Sequence, residues 1–191
     1  MNWSEIDASA DIWKGLLKDV FPKQTIRQKK QFAFFDLSDC SKRSDEAIRG
    51  AFTLMEEFAR YTKVLLSLNK NEAQLVYRAL YKNSEKDLKE LGIKIFEKLE
   101  PEILLLLSSS QAIAINHKDI FSQNSFFIKN PRISTGAGDN FNAGFAVAQL
   151  LELDPDSSLL FANSVAAIYV KTGTSPQLPD IIEFLEKLQK N

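Results

Sequence analysis

One short glycine-rich segment combines the residue types that phosphate chemistry needs. It reads Ser134-Thr-Gly-Ala-Gly-Asp-Asn-Phe-Asn-Ala-Gly-Phe145. Gly136 and Gly138 leave the neighbouring backbone N–H groups unscreened, and the apolar residues that follow start a helix whose N-terminal dipole favours an anion. Asp139 lies at the same helix terminus, where its carboxylate can accept a proton from a hydroxyl that attacks a phosphoryl group. The segment therefore predicts a phosphate-binding turn with an adjacent base. As a structural alternative, Gly-x-Gly-Asp is also a common turn at the start of a helix.

A second polar pair follows a predicted strand. Asn69 and Glu72 are three residues apart, directly after the apolar run Val64–Leu68. Asn at a helix N-cap with Glu three residues on is a capping box, which satisfies the first N–H groups of a helix without any catalytic role. The same two side chains, on the first turn of a helix, can order the water ligands of Mg²⁺. Both interpretations remain open at this point.

The two motifs together resemble those of a known family. Thr-Gly-Ala-Gly-Asp followed by Phe-x-Ala-Gly-Phe closely resembles the C-terminal signature of the ribokinase-like (PfkB) carbohydrate kinases, and Asn-x-x-Glu is that family's second motif, in the same order. The resemblance implies that the amides of Gly136, Ala137 and Gly138 form an anion hole for the transferred phosphoryl group. It also implies that Asp139 activates the sugar hydroxyl.

The resemblance extends to the binding of cofactors, which are ATP and Mg²⁺ in this family. It implies that Asn69 and Glu72 help to position magnesium. The segment from Asn163 to Gly173 is similar to the family's adenine-side segment, in which a polar residue and small neighbours border the base. Asn163, Gly173 and Thr135 are thus the candidate nucleotide contacts. The alternative for this segment is that Ala166 and Ala167 are simply small core residues.

The hydrophobic pattern predicts the elements that position these residues. Predicted helices cover 3–21, which Pro22 ends, and 47–59, 72–81, 85–99, 138–151 and 157–170, with a last helix starting near Pro179; predicted strands cover 32–36, 63–68, 103–107, 112–115 and 126–128. Strands that alternate with helices indicate an α/β fold with right-handed crossovers. Asp36 ends the first strand and is either a neighbour of the site or simple turn chemistry.

Composition excludes several other classes of protein. The 191 residues are 45% hydrophobic and 26% charged, as is typical of a globular protein, and we expect a single α/β domain over residues 1–191. With 24 basic and 25 acidic residues, the net charge of −1 argues against a nucleic-acid or anionic-membrane partner. Cys40 and His117 are the only residues of their types, which excludes an intrachain disulfide and a cysteine-rich metal site. No apolar run is long enough to span a bilayer and no signal peptide is recognisable, so a cytoplasmic location is expected.

The resemblance covers the whole chain but only the later part of the family's pattern. It implies a ribokinase-like three-layer α/β/α sandwich with a mostly parallel central sheet, in which the N-terminal part of the fold, with its sugar-binding residues and lid, is missing. Two local departures stand out. Ile133 replaces the carboxylate or small polar residue that the family associates with a monovalent cation, which argues against potassium activation. The turn Ser108–Gln111 lacks the family's glycine, although its hydroxyls can donate to phosphate.

Three functional hypotheses follow. The first is an ATP-dependent kinase that transfers the γ-phosphate to a sugar-type alcohol. The second is a catalytically incomplete module of the same fold that binds nucleotide or serves as an interaction domain. The third is a kinase for a nucleoside or a vitamin-like alcohol. Because a truncated sheet exposes an unpaired edge, self-association into a homo-oligomer is also expected.

Overall fold

The structure, a computed structural model, describes residues 8–23, 31–85 and 87–188. Its contacts divide the chain into two compact units, Met1–Leu106 with Ile115–Ile120, and Leu107–Ala114 with Phe121–Asn191. Five strands form one sheet in the order β1-β2-β3-β4-β5; they are β1 (Phe32–Asp36), β2 (Lys63–Asn69), β3 (Ile103–Leu107), β4 (Gln111–Asn116) and β5 (Ile120–Asn124). Within the described ranges, no helix has the length and apolar character that crossing a bilayer requires.

The first unit has the α/β pattern that the sequence predicts. Its helices are α1 (Ser9–Gly15), α2 (Asp45–Ala59), α3 (Lys70–Tyr81) and α4 (Leu88–Leu99). Strands β1 and β2 are parallel, with Phe35 opposite Leu66, and α2 forms the crossover between them. Residues 64–68 are all buried, as expected for a strand covered on both faces. The ring of Phe35 packs edge-on against Trp13 and Phe58, with centroid distances of 4.9 and 5.2 Å.

The first helix is shorter than the predicted helix over residues 3–21. Trp3 and Ile6 lie outside the described residues, and α1 ends at Gly15. A π-helical turn, Leu16–Val20, and a 3₁₀ turn, Phe21–Lys23, follow it. Gly15 is a poor helix former and Pro22 has no N–H to donate, so neither supports a regular α-helical ladder. The departure still leaves Trp13 and Leu17 buried.

The second unit is built around three helices. They are α5 (Ala137–Leu150), α6 (Pro155–Thr172) and α7 (Leu178–Leu188), and their shared core contains Ala148, Phe161, Val165, Ile168 and Ile181. Helix α6 has strong local signals at both ends. Asp154 caps its N-terminus by accepting from the Ser157 N–H at 3.0 Å, and Gly173 ends it with a positive φ of 78°. The position of α6 along the chain is therefore fixed by local sequence.

One predicted strand does not form. The apolar residues Phe126, Phe127 and Ile128 are not in a strand, and β5 lies earlier, over Ile120–Asn124. The three apolar side chains instead line a cavity of the second unit, and Phe127 is 89% exposed. A run of three apolar residues carries too little periodicity to distinguish a strand from a cavity wall. The prediction over 126–128 was therefore wrong.

Candidate functional site

The glycine turn forms the N-terminus of helix α5. Gly136 is the N-cap residue, and its φ of 88° and ψ of 0° lie in the left-handed region that favours glycine. The N–H of Ala137 donates to the Ser134 carbonyl at 3.2 Å, which closes the turn. Asn140 donates to the Gly136 carbonyl twice, from its backbone N–H at 3.0 Å and from its Nδ2 at 2.9 Å. The turn is thus held by its own backbone and by Asn140.

Gly136 and Gly138 have different roles in this turn. An ideal Cβ on Gly136 would lie 2.9 Å from the hydroxyl oxygen of Tyr169, so Gly136 is needed for packing as well as for its φ. A Cβ on Gly138 would meet no atom within 4 Å. Since folding does not require a glycine at Gly138, the open space above it is free for a ligand. The N–H groups of Gly138 and Asp139 belong to the first helical turn and have no intrahelical acceptor, which makes them available to an anion.

The side chains of Asp139 and Thr135 lie on either side of Gly138 in the sequence. Asp139 is exposed on the first turn of α5, next to Gly138. Its carboxylate is therefore open to a substrate hydroxyl, as a general base requires. Thr135 is also exposed, but its carbonyl oxygen accepts a hydrogen bond from the Tyr169 hydroxyl at 3.0 Å. The backbone of Thr135 thus has a structural partner, while the nucleotide contact expected of its side chain remains a prediction.

A cavity of about 630 Å³ adjoins the glycine turn within the second unit. Its size is within the range of small-molecule binding sites. Among the described residues that line it, none carries a charge; the lining includes Ser109, Ser110, Gly138, Phe141, Asn163, Ala167 and Val170. A wall of this kind suits a flat, neutral, partly apolar group such as a nucleobase.

Asn163 is the unusual residue of this wall. Its side chain is 95% buried, at 5% relative exposure, and its Nδ2 atom has no hydrogen-bond acceptor among the described residues. Burying an amide without a partner costs on the order of 1–3 kcal/mol. The Nδ2 atom is itself inaccessible in the ligand-free chain, and the Thr62 hydroxyl is the other buried side-chain group without a partner among the described residues. The sequence predicted Asn163 as a nucleotide contact, and that contact stays a prediction.

Gly173 lies at the other end of α6. Its N–H donates to the Tyr169 carbonyl at 2.7 Å, and an ideal Cβ would lie 3.2 Å from Cδ of Arg132. These contacts account for glycine at this position by helix capping alone. Ala166 and Ala167 both line the cavity, and Ala167 is also a buried core residue, so both interpretations of these residues remain open. A nucleotide contact at Gly173 stays a prediction.

The serine-rich turn between β3 and β4 closes on itself. The Ser108 hydroxyl donates to the Gln111 carbonyl at 2.9 Å and accepts from the Gln111 N–H at 3.0 Å. The hydroxyl of Ser108 thus supports a turn for which the family uses glycine. Ser109 is exposed and lines the cavity. Ser110 is also exposed and lines the cavity, so either hydroxyl is placed to donate to a ligand.

Asn69 and Glu72 form a complete capping box in the first unit. The Asn69 side chain accepts from the backbone N–H of Asn71 and Glu72 at 2.9 and 3.0 Å. Glu72 accepts in return from the backbone N–H and the Nδ2 of Asn69, at 2.8 and 2.6 Å. The structural alternative is thus present, and it does not exclude a role with magnesium. Across the described part of the chain, no group of three or more His, Cys, Asp or Glu side chains could hold a metal ion. A Mg²⁺ ion would therefore take most of its ligands from phosphate and water, as is usual for this ion.

The carboxyl group of Glu72 is electrostatically unusual. Burial raises its pKa to about 7; Asp36 and Asp39 also raise it, while the hydrogen bond from the Asn69 N–H acts in the opposite direction. Asp36 at the end of β1 is therefore an electrostatic neighbour of Glu72, as its place at the strand terminus suggested. Asp36 also accepts from the Ser38 N–H at 2.8 Å, so it has the turn role as well. A carboxyl group with a pKa near neutral pH loses its proton readily when a cation approaches, because the cation stabilises the carboxylate.

Sequence analysis missed three residues that hold the turn. Asn140 binds the Gly136 carbonyl, Tyr169 binds the Thr135 carbonyl, and Arg132 donates from Nη1 to the Thr172 carbonyl at 3.1 Å. Asn140 had a local signal, since it follows the glycines directly. Tyr169 and Arg132 had none, because each binds a backbone carbonyl far away along the chain.

Known proteins with the same fold are sugar kinases and their relatives. A ribokinase from Thermotoga maritima matches with a TM-score of 0.58 and 24% identity, over 69% of this chain and 44% of that one. A putative ribokinase II from E. coli, solved in complex with ATP and Mg²⁺, matches with a TM-score of 0.55 and 16% identity, over 75% of this chain and 46% of that one. These structures confirm the α/β class and the ribokinase-like fold, truncated relative to the full-length neighbours.

The sequence places the chain more closely. A model of the prokaryotic ketohexokinase family matches residues 1–188. A ketohexokinase from Haloferax volcanii is 24% identical over 95% of this chain. The chain belongs to the prokaryotic ketohexokinase family, a family of ribokinase-like carbohydrate kinases. It spans 48% of the length of that ketohexokinase.

Proposed function

We propose that this chain is the nucleotide-binding part of an ATP-dependent carbohydrate kinase that transfers the γ-phosphate to a sugar-type alcohol. The observation that carries the proposal is the buried, unpartnered amide of Asn163 in the wall of an uncharged cavity. Gly138, at the N-terminus of α5, lines the same cavity. One cavity thus combines a hydrogen-bonding partner for a nucleobase with helix-terminal amides for a phosphate.

The base of the nucleotide would bind in the uncharged part of the cavity. Because Nδ2 is inaccessible in the ligand-free chain, the Asn163 amide would rotate so that Nδ2 donates to a ring nitrogen of adenine, which supplies the acceptor that this atom otherwise lacks. Ala166, Ala167 and Val170 follow Asn163 on the same helix and line the same wall, so the adenine ring would bury apolar surface against them. Asn163 would therefore orient the base, and its small neighbours would make room for it.

The phosphate chain would bind at the N-terminus of α5. The N–H groups of Gly138 and Asp139 and the positive end of the helix dipole favour the negative charge of the terminal phosphate. Because no charged side chain is among the described residues that line the cavity, these dipoles would act together with a divalent cation. The Mg²⁺ ion would supply neutralisation of phosphate charge, and the family resemblance assigns the ordering of its water ligands to Asn69 and Glu72.

Asp139 would be the general base. It would accept the proton of the acceptor hydroxyl as the new oxygen–phosphorus bond forms and the bond between the γ-phosphorus and the bridging oxygen breaks. ADP leaves with the electron pair of the broken bond, and the proton remains on the Asp139 carboxyl. Its exposure leaves Asp139 accessible to a sugar hydroxyl. The family name suggests a ketohexose as the acceptor.

Two measurements test the proposal. The first is calorimetric titration of the chain with ATP in the presence of Mg²⁺, for which saturable binding of one nucleotide is expected. The second is a coupled assay for ADP release with ketohexoses, other sugars and nucleosides as acceptors. Turnover with a ketohexose supports the full proposal, whereas turnover only with a nucleoside would replace the sugar acceptor. Absence of ATP binding would overturn the proposal.

A second function has its own supporting observation. The chain spans 48% of the ketohexokinase that it matches, so the residues that bind and enclose the acceptor in that protein can lie in the other part. Positioning of the acceptor accounts for much of phosphoryl-transfer catalysis. A nucleotide-binding module without turnover is therefore the alternative. Binding of ATP with no ADP release for any acceptor in the assay would favour it.

A further inference from the structure

The side chain of Tyr169 makes two contacts with the glycine turn. Its hydroxyl donates to the Thr135 carbonyl oxygen at 3.0 Å. An ideal Cβ built on Gly136 would lie 2.9 Å from the same hydroxyl oxygen. The tyrosine side chain therefore covers that face of Gly136 directly. Tyr169 thus contacts both residues of the peptide group that joins Thr135 to Gly136.

This peptide group precedes Gly136, which restricts its rotation little. Gly136 has a φ of 88°, and glycine adopts both signs of φ with little difference in energy. In a trans peptide the C=O and the N–H point in opposite directions. When Tyr169 binds the Thr135 carbonyl, it therefore also fixes the direction of the Gly136 N–H, away from the tyrosine. Without that hydrogen bond, the Tyr169 side chain no longer restrains the orientation of this peptide group.

The segment that leads into the glycine turn is hydrogen-bonded to the same end of α6. The backbone N–H groups of Arg132 and Ile133 both donate to the Val170 carbonyl, at 2.8 and 3.3 Å. Val170 also lines the cavity in which Asn163 is buried. One helix therefore carries the wall of the cavity and holds the segment that leads into the glycine turn.

We propose that Tyr169 is a positioning residue that fixes the peptide between Thr135 and Gly136, so that the Gly136 N–H points toward the nucleotide's terminal phosphate. The inference rests on the proposed function and adds a residue that touches neither the base nor the phosphate. The hydroxyl acts through the backbone of the turn. Its contribution should therefore depend on the phosphates of the ligand and not on the base.

Tyr169→Phe removes the hydroxyl and keeps the ring that covers Gly136. Calorimetric titrations with adenosine, ADP and ATP, each with Mg²⁺, should show that this variant binds ATP about 3- to 10-fold more weakly, the effect of one hydrogen bond. Its affinity for adenosine should stay within about 2-fold of the wild type. Unchanged affinity for ATP would overturn the inference, as would an equal loss for ATP and adenosine, which indicates a general structural defect.

Tyr81→Phe is the matched control. The Tyr81 hydroxyl donates to the Lys94 backbone carbonyl at 2.8 Å, a bond of the same type in the first unit of the chain. This variant should bind ATP and adenosine as the wild type does. A loss of ATP affinity equal to that of Tyr169→Phe would show that any such hydrogen bond has this effect, and would overturn the specific role of Tyr169.

Hydrogen exchange of the ligand-free chain separates this inference from the proposed function. The Asn140 N–H donates to the Gly136 carbonyl, and its exchange reports on the order of the turn. In Tyr169→Phe the Asn140 amide should exchange about 3- to 10-fold faster, and in Tyr81→Phe it should not change. If the wild type fails to bind ATP, the proposed function fails and this exchange still tests the hold of Tyr169 on the turn. Equal exchange in the wild type and Tyr169→Phe would overturn that hold.

Discussion

Gly144 of α5 lies directly against Ala162 of α6. An ideal Cβ on Gly144 would be 3.0 Å from the Cα of Ala162 and 2.9 Å from Cγ2 of Val165. The two helices therefore meet backbone to backbone. Because α5 carries Gly138 and α6 carries Asn163, this contact sets the spacing between the proposed phosphate and base positions.

Gly144→Ala should destabilise the protein. The added methyl group has no space and forces α5 away from the Ala162 backbone, an overpacking effect that costs about 1–3 kcal/mol. Urea unfolding followed by circular dichroism measures the change. Gly50→Ala is the control, since Gly50 is an exposed position of α2 where an ideal Cβ meets nothing within 4 Å. It should raise stability by about 0.5–1 kcal/mol through helix propensity. Equal effects of the two substitutions would contradict the close helix contact.

Gly138→Ala should leave the fold intact and weaken nucleotide binding. Its methyl group enters the open space above the helix terminus, where the phosphate is proposed to lie. We expect a loss of ATP affinity of about 10-fold or more by calorimetry, with no fall in the free energy of unfolding. Gly136→Ala is the contrasting variant, because its φ of 88° and the nearby Tyr169 hydroxyl should make it about 1–2 kcal/mol less stable. A stable Gly138→Ala variant with wild-type affinity would remove this amide from the proposed site.

Asn163→Leu should stabilise the protein while it weakens nucleotide binding. Leucine has nearly the same branched shape as asparagine, and it removes a buried amide that lacks an acceptor. The free energy of unfolding should rise by about 1 kcal/mol, whereas the affinity for adenosine should fall. The matched control is Asn116→Leu, which removes an acceptor of the Lys118 and Asp119 N–H groups and should lower stability. A destabilised Asn163→Leu variant would show that the amide is not a cost to the free protein.

Stability should fall as the pH rises from about 5 to 7 in the absence of divalent metal. The pKa of Glu72 is about 7 in the folded chain against 4.5 for an unperturbed Glu, so between these values the folded state holds a proton that the unfolded state has lost. The stability that this bound proton contributes is fully present below the unfolded pKa of Glu72 and is lost as the pH rises through the folded pKa. The loss is about 2–3 kcal/mol. Urea unfolding at several pH values measures the slope.

Two variants test the origin of that slope. Glu72→Gln cannot titrate, so the difference between its stability and that of the wild type should change with pH by this amount. Glu46→Gln should keep the wild-type slope over the same range, because Glu46 is exposed and its pKa is lowered by hydrogen bonds at its helix N-terminus. A wild-type slope in Glu72→Gln would assign the pH dependence to other groups.

Asp139→Asn should separate binding from catalysis. The amide keeps the shape of the side chain but cannot accept a proton at neutral pH, so ATP affinity should change by no more than about 2-fold. Turnover with the acceptor that the wild type uses should fall by about 10²- to 10⁴-fold, as is typical for loss of a general base. Calorimetry and the coupled ADP assay give the two numbers. Equal turnover in both proteins would remove Asp139 from the mechanism.

Interactions between near neighbours along the chain could be predicted from the sequence. The capping box of Asn69 and Glu72, the glycine turn at the start of α5 and the glycine end of α6 all join residues two to four positions apart. Such contacts depend on residue type and spacing, which the sequence states directly. The α/β class followed in the same way from hydrophobic periodicity. What the periodicity did not reveal was the break after Gly15 or the cavity wall at Phe126.

Only the tertiary structure decided which residues support the site. Tyr169 lies 34 positions from Thr135 and Arg132 lies 40 positions from Thr172, and each binds a backbone carbonyl. Every residue has a backbone carbonyl, so such a partner leaves no mark in the residue types. The missing acceptor of Asn163 is likewise a property of its surroundings and not of its identity. The sequence by itself therefore determined the family and the class of fold, because these depend on local pattern. Packing determined how the turn is held and where a buried amide lacks a partner, because these depend on distances between residues far apart in the chain.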